Sequence, residues 1–304
     1  MSVVAMTRFG RMGRFANQLF QYAYLNGVAK RTRSQLQLPP WVGNQLFGLC
    51  NSPINNRLPE FVERSQWSNA QVEPSADEEI VGHDFRGYAQ YHTRHLANGC
   101  LWGDWAYRDA FRSLFQPVPA IVDRLAEAVS ILESLGPVIG VHLRRGDYGR
   151  SIFPIIPVDW YLRWLEPHKD KTLFIATETE SLLDEFAGWS VVTSKSLGVT
   201  LDTSPLPSFN YLTHDLETRE GWAMDFYPDF HLLSRCSTVI GPSSTYSFAA
   251  AMMNPNLDEY WRASLVAEGF EQVDPWDSYP SLREDVKDFK HLEGITTKDN
   301  PYWK

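Results

Sequence analysis

Pro137-Val-Ile-Gly-Val-His-Leu-Arg-Arg-Gly-Asp-Tyr148 decides how this chain of 304 residues is read. Val138 to Leu143 is an apolar, β-branched run with the length of a buried strand. It leads directly into two arginines, a glycine and an aspartate, groups that are costly to place at the end of a core element without partners. Side chains alternate along a strand, so His142 and Arg144 are expected on one face and Arg145 on the other. One arginine is then available to an anion and the other to the protein's own carboxylates. Gly146 permits a sharp turn, and Asp147 is near enough to hold a guanidinium in a two-pronged pair. A structural Arg-Asp pair would account for a lone Arg-x-Asp, but packing alone rarely needs His, two Arg and Asp so close together.

Composition narrows the classes of function. The chain is long enough for two medium domains, and 43% hydrophobic residues suffice for real cores. A net charge of −9 and short Lys/Arg runs exclude a nucleic-acid surface for the chain as a whole, so an anion site must be local. Cys50, Cys100 and Cys236 are widely spaced and lack CxxC or His-rich neighbours, the pattern of reduced thiols rather than a zinc site. Ser2-Val-Val-Ala-Met6 passes to Arg8 without the apolar stretch of a signal peptide, and no segment has the length that membrane spanning needs. A soluble, cytoplasmic protein is expected, working at the inner face of the membrane only through peripheral association with its substrate. The 11 Trp and 13 Tyr suit sugar stacking and equally suit a well-filled core.

At the N-terminus, Val3 to Met6 precedes Gly10-Arg-Met-Gly-Arg-Phe-Ala-Asn-Gln18 and then a helical pattern in which Ala16, Phe20, Ala23 and Gly27 share a face, with small residues for close packing on a sheet. Strand, glycine turn and helix together aim backbone N–H groups and the helix dipole at whatever lies over the turn, which favours anions. Every charged residue before Glu60 is cationic, Arg14 among them, and Lys30 to Arg33 reads as a solvated basic face. A dinucleotide turn at Gly10-x-x-Gly13-x-x-Ala16, with Arg31 and Arg33 on a ribose phosphate, is the competing reading. The G-x-G-x-x-G spacing is absent, however, and no carboxylate follows at the required distance. Asn17-Gln18 instead looks like a hydrogen-bonding pair presented to a ligand.

Residues 39–80 read as irregular, with weak strand signals and several prolines. His92 and His95 lie at i, i+3 without a carboxylate or thiol beside them, so neither they nor His83 suggest a metal site. Residues 121–135 form an amphipathic helix ended by Gly136-Pro137, which divides the chain into two domains, residues 1–135 and residues 136–304. In the second part, a helix from Pro157-Val-Asp159, a strand over 172–177, a short helix over 181–187 and a strand over 190–193 alternate as in a parallel α/β sheet. Residues 201–222 read as loop. A helix after Pro228 and a strand over 237–241 then lead to Pro242-Ser-Ser-Thr-Tyr-Ser247 and a small-residue helix. The three hydroxyls Ser243, Ser244 and Thr245 exceed the single one that an N-cap needs, and mark a second anion site after a strand.

Two α/β halves with such sites, and Arg144 at a strand end, imply a nucleotide pyrophosphate held in a cleft between domains. No Asp-x-Asp stands beside a strand to bring in a divalent cation, so arginine and helix dipoles would neutralise the leaving diphosphate. Three motifs then point to a family. Gly10-Arg-Met-Gly-Arg-Phe-Ala-Asn-Gln-Leu-Phe-Gln-Tyr-Ala23 resembles the GxxGNQxFQYA signature of the α-1,2-fucosyltransferases. His142-Leu-Arg-Arg-Gly-Asp147 is similar to their HxRRxD motif, which α-1,6- and protein O-fucosyltransferases share. Asp229-Phe-His-Leu-Leu-Ser-Arg-Cys236 through Gly241-Pro-Ser-Ser-Thr-Tyr-Ser247 resembles their third motif.

The resemblance implies a GT-B glycosyltransferase of two Rossmann-like domains facing a central cleft. It implies inverting, metal-independent transfer of L-fucose from GDP-β-L-fucose to an oligosaccharide or lipid-linked glycan, in α-1,2 linkage, within polysaccharide biosynthesis. No cofactor or divalent metal is expected. Arg144 matches the arginine on the donor β-phosphate, and Asn17 the asparagine at the reaction centre. Asp147 and His142 match supports of that arginine, Asp229 matches a guanine contact, and Ser243, Ser244 and Thr245 match the phosphate loop; Arg14 and Arg145 complete the expected donor-binding set. The chain departs from the pattern in the insertion Arg14-Phe15 and in Phe248-Ala-Ala250, where paired tryptophans are common. Those departures keep two other readings open: another GDP-6-deoxysugar as donor, and a glycan-binding protein without catalysis on the same scaffold.

Overall fold

The computed structural model of the chain describes residues 1–7, 9, 13–54, 57–62, 75–81, 105–146, 148–149, 154–201, 206–209, 216–219, 224–276 and 278. In chain order its elements are β1 (Val3–Ala5), α1 (Phe15–Arg31), β2 (Gln35–Gln37), α2 (Val42–Phe47), β3 (Glu60–Val62), β4 (Glu78–Val81), α3 (Trp105–Leu114), α4 (Pro119–Ser134), β5 (Val138–Leu143), α5 (Val158–Leu165), β6 (Thr172–Thr177), β7 (Ser190–Val192), β8 (Leu206–Phe209), β9 (Leu216–Arg219), α6 (Tyr227–Leu233), β10 (Thr238–Gly241), α7 (Thr245–Met253), β11 (Glu259–Ser264) and β12 (Gly269–Gln272). They form two units, residues 1–122 with 202–225 and residues 123–201 with 226–304. No helix among the described residues is long and apolar enough to cross a membrane.

In the first unit the strands lie in the order β2-β1-β4-β3, every pair parallel. The N-terminal β-branched run is β1, and α1 returns the chain to β2 as a crossover helix. Ala16, Phe20 and Ala23 are buried as their spacing requires, but so are Phe15, Leu19, Tyr22, Tyr24 and Leu25, so α1 is enclosed on most sides. Gly27 is no close-packing glycine, since a Cβ there would meet no atom within 4 Å. Aromatic rings fill the unit: Phe20 lies 6.1 Å from Phe111, Tyr22 5.4 Å from Trp41, and Phe47 5.4 Å from Phe115. β4 falls in the stretch whose composition reads as irregular. Its Glu79 is nonetheless buried and accepts a hydrogen bond from Thr7 beyond the end of β1. β8 and β9 likewise replace an expected loop with a two-stranded antiparallel ribbon, and Pro207 in β8 obscures the strand signal.

The second unit is built on a sheet ordered β12-β11-β10-β5-β6-β7, parallel from β11 through β7, with β12 antiparallel at one edge. All six residues of β5 are buried, as befits a strand covered on both faces. Along β5, Ile139, Val141 and Leu143 join Tyr161, Trp160 and Leu165 of α5 in one core. Gly140 faces the other way, where an added Cβ would lie 2.6 Å from Leu233 Cδ1 and 3.0 Å from Cys236 Cβ. The chain runs from β5 outward through β6 to β7, then returns to place β10 and β11 on the opposite side of β5. The order therefore reverses between β5 and β10, and a crevice at the C-terminal ends of two such strands is where open α/β sheets bind ligands.

Two glycines should respond oppositely to substitution. Gly27→Ala is expected to stabilise the protein by about 0.5–1 kcal/mol, because a helix-interior glycine is replaced where there is room. Gly140→Val is expected to cost about 1–3 kcal/mol or more through overpacking against α6. Denaturant unfolding midpoints at unchanged slope check both.

Candidate functional site

Arg144 and Arg145 leave the C-terminal end of β5, and Ser243, Ser244 and Thr245 leave that of β10, so the reversal point gathers both motifs. Tyr148 ties them together by donating its hydroxyl to the carbonyl of Ser243 at 2.9 Å. The buried His142 ring stands 5.0 Å from Tyr246, whose ring lies 5.4 Å from Phe230 and whose hydroxyl donates to the carbonyl of Phe226 at 2.7 Å. The first turn of α6, which carries the half-buried Asp229, is thereby held beside the first turn of α7. Ser244 is the N-cap of α7, its hydroxyl accepting from the backbone N–H of Tyr246. Capping thus uses one hydroxyl of the three. Ser243 is buried and Thr245 half-buried at the same helix start.

The two arginines have different partners. Arg144 meets a carboxylate, with Nη1 3.3 Å from Glu178 Oε1, and its guanidinium lies 5.6 Å from the centre of the Tyr148 ring. Arg145 is buried, and its guanidinium donates to the carbonyl of Arg144 at 2.9 Å. The cause is the register of the sheet: Leu143 pairs with Thr177 in parallel, so the next residues, Arg144 and Glu178, emerge side by side. Glu178 Oε1 also accepts the backbone N–H of Arg145 at 2.9 Å. Thr177 donates its hydroxyl to the carbonyl of Leu143 at 3.1 Å, which ties the two strand ends together. Motif reading missed Glu178, because it lies in the short stretch after an ordinary apolar strand and nothing local marks it. Tyr148 and Tyr246 stood inside the motifs without a role until the geometry supplied one.

In the first unit, Arg14 is exposed in extended backbone just before α1, with no side-chain cap of the helix. Asn17 in the first turn is buried, and its Oδ1 has no hydrogen-bond partner among the described residues. Gly13 has φ +125°, and a Cβ there would collide with the Asn17 amide, so glycine is required for that approach. Gln18 donates to the carbonyl of Gly13 at 3.4 Å. A buried amide oxygen left unpaired is costly and uncommon, and a ligand hydroxyl or N–H would satisfy it. Asp147 lies outside the described residues, as do His83, His92 and His95.

No family model matches the chain. It is 23% identical over 263 residues to galactoside α-(1,2)-fucosyltransferase 1 of Alouatta belzebul and 24% identical over 263 residues to that of Homo sapiens; each match covers 79% of this chain and 63% of the relative. The chain thus spans less than two thirds of the length of these curated relatives. Among solved structures, NodZ α-1,6-fucosyltransferase co-crystallised with GDP superposes with a TM-score of 0.55 at 14% identity, covering 90% of this chain and 98% of that one. A mutant of Arabidopsis thaliana FUT1 in complex with GDP gives 0.59 at 11%, covering 98% and 79%. The fold is the α/β, GT-B type of these fucosyltransferases. In sequence, the chain is similar to the α-1,2 enzymes.

Two buried histidines of the second unit are held neutral. Burial, and then the charges of Arg144 and Arg145, depress the pKa of His142 to about 3, so the imidazole is neutral. Burial, and then Arg235, lower that of His231 to about 4. For both, the folded pKa lies below the ordinary value, so the unfolded chain binds more protons between the two. Their contribution to stability is complete above about pH 6.5 and is lost as pH falls toward 4 and then 3. Unfolding free energy measured from pH 7 down to pH 4.5 should fall, and His142→Gln should make that slope shallower.

Proposed function

We propose that the chain is a glycosyltransferase that moves L-fucose from GDP-β-L-fucose to a hydroxyl of a glycan, with inversion and without a divalent metal. The observation that carries this reading is the placement of Arg144 and the Ser243-Ser244-Thr245 helix start together at the reversal point between β5 and β10. In this reading Arg144, with His142 and Arg145 behind it, grips the β-phosphate, the α7 start takes phosphate oxygens, and Asp229 meets the guanine. Arg14 and Asn17 belong to the donor set by their motif positions, and the buried Asn17 oxygen is suited to accept from a sugar hydroxyl. The acceptor oxygen bonds to the anomeric carbon as the carbon–oxygen bond to the β-phosphate breaks. GDP departs with the electron pair, and the acceptor proton passes to a carboxylate or to the departing phosphate. Asp147 belongs to the set by its motif position.

The sequence likeness supports an α-1,2 linkage; in this proposal the acceptor is an oligosaccharide or lipid-linked glycan, reached through peripheral contact with the cytoplasmic membrane face. The departures at Arg14-Phe15 and Phe248-Ala-Ala250 make a panel of GDP-6-deoxysugars the direct check on the donor.

Charge-assisted hydrogen bonds are worth about 1.5–3 kcal/mol each. Arg144→Ala should therefore weaken GDP binding by roughly 10- to 100-fold and abolish GDP release from GDP-fucose, with an unchanged circular dichroism spectrum. Wild-type turnover should persist in EDTA. Full activity of the variant, or a requirement for added metal, contradicts the reading.

A further inference from the structure

Glu178 has no part in any motif, yet it occupies the centre of the β5 exit. Its Oε1 lies 3.3 Å from Arg144 Nη1, accepts the Arg145 N–H at 2.9 Å, and would stand 2.9 Å from a Cβ at position 146. Gly146 has φ +40°, so both the turn and the space beside the carboxylate call for glycine. Thr177 fixes the strand beneath, through its bond to the carbonyl of Leu143, and its hydroxyl accepts the Thr179 N–H at 3.1 Å. The carboxylate is thus tied to backbone and guanidinium at once, on strand ends that cannot slide past one another.

We infer that Glu178 is a positioning residue: it sets the angle of the Arg144 guanidinium before a diphosphate arrives, at the expense of ground-state affinity for that diphosphate. This rests on the proposed role of Arg144. An incoming diphosphate competes with this carboxylate for the guanidinium it needs, so part of the Arg144–Glu178 attraction is lost on binding. A residue that only served binding would not be an anion here. An arginine held at one angle, however, is ready for the charge that develops on the leaving oxygen, and interactions that are stronger in the transition state are the ones that raise turnover. Glu178 does not touch the reacting atoms in this account; it acts through Arg144.

The test is a double-mutant cycle read by GDP and pyrophosphate binding and by GDP release from GDP-fucose. Glu178→Gln keeps an oxygen for the Arg145 N–H and removes the charge. In the wild-type background it should leave the unfolding midpoint in place, tighten GDP and pyrophosphate binding about 3-fold or more, and lower kcat about 10-fold or more. In an Arg144→Ala background it should change GDP affinity by less than about 2-fold, because the partner it acts through is gone. Equal effects in both backgrounds, or GDP affinity and kcat that fall together with the midpoint, overturn the inference and make Glu178 a structural brace. Unchanged binding and unchanged kcat overturn it as well. A wild-type protein that binds neither GDP nor pyrophosphate overturns the parent reading of Arg144 and this inference with it, and is told apart from the other outcomes by the absence of any wild-type signal.

Discussion

The ends of β5 and β6 are level because their parallel register pairs Leu143 with Thr177, and the residues that follow, Arg144 and Glu178, meet as an ion pair. Much of the second unit depends on that alignment. It puts a guanidinium at the mouth of a buried strand, and it leaves Arg145 to turn inward onto the carbonyl of Arg144. The turn that follows brings Tyr148 back to the β10 loop at Ser243. A slip of one residue between the strands would invert every side chain on β5 and break each of these contacts.

The reversal of strand order beside β5 supplies the other half of the site. Crossovers that leave a central strand in opposite directions place their helices on opposite faces, so the loops after β5 and β10 part from each other and open a crevice at their C-terminal ends. Neutral His142 packs there beside Tyr246, and Tyr246 beside Phe230, so the surroundings are aromatic and mostly buried. In such surroundings a guanidinium and a helix start act on an anion with less competition from water. The first unit repeats the arrangement on a smaller sheet, where β1 has β2 on one side and β4 on the other, and the turn after β1 leads to Asn17.

The sequence made the main elements of this plan legible wherever one strand or helix was self-sufficient. β5, β6, β7, β10, α1, α4 and α7 follow from apolar runs, small-residue faces and caps, with ends shifted by a residue or a few. β4 was hidden because two glutamates open it, one of which is buried and accepts a hydrogen bond from Thr7. β8 was hidden by its proline. Residues 259–272 form two strands joined by a turn at Glu268, φ +47°, and a cross-strand pair of Arg262 with Glu271 at 2.9 Å offsets the charges they carry. In the site, the motifs named Arg144, His142 and the hydroxyl run, while Glu178 could not be found from them. A residue that matters through a partner 34 positions away in the chain has no local signature; only the pairing of β5 with β6 creates it.

A crystal structure of the protein with GDP tests the central claim most directly. A β-phosphate oxygen is expected within hydrogen-bond distance of the Arg144 guanidinium, with the α7 start at Ser243 to Thr245 against the diphosphate. A nucleotide bound elsewhere, with Arg144 still turned to Glu178 and away from any phosphate, would contradict it.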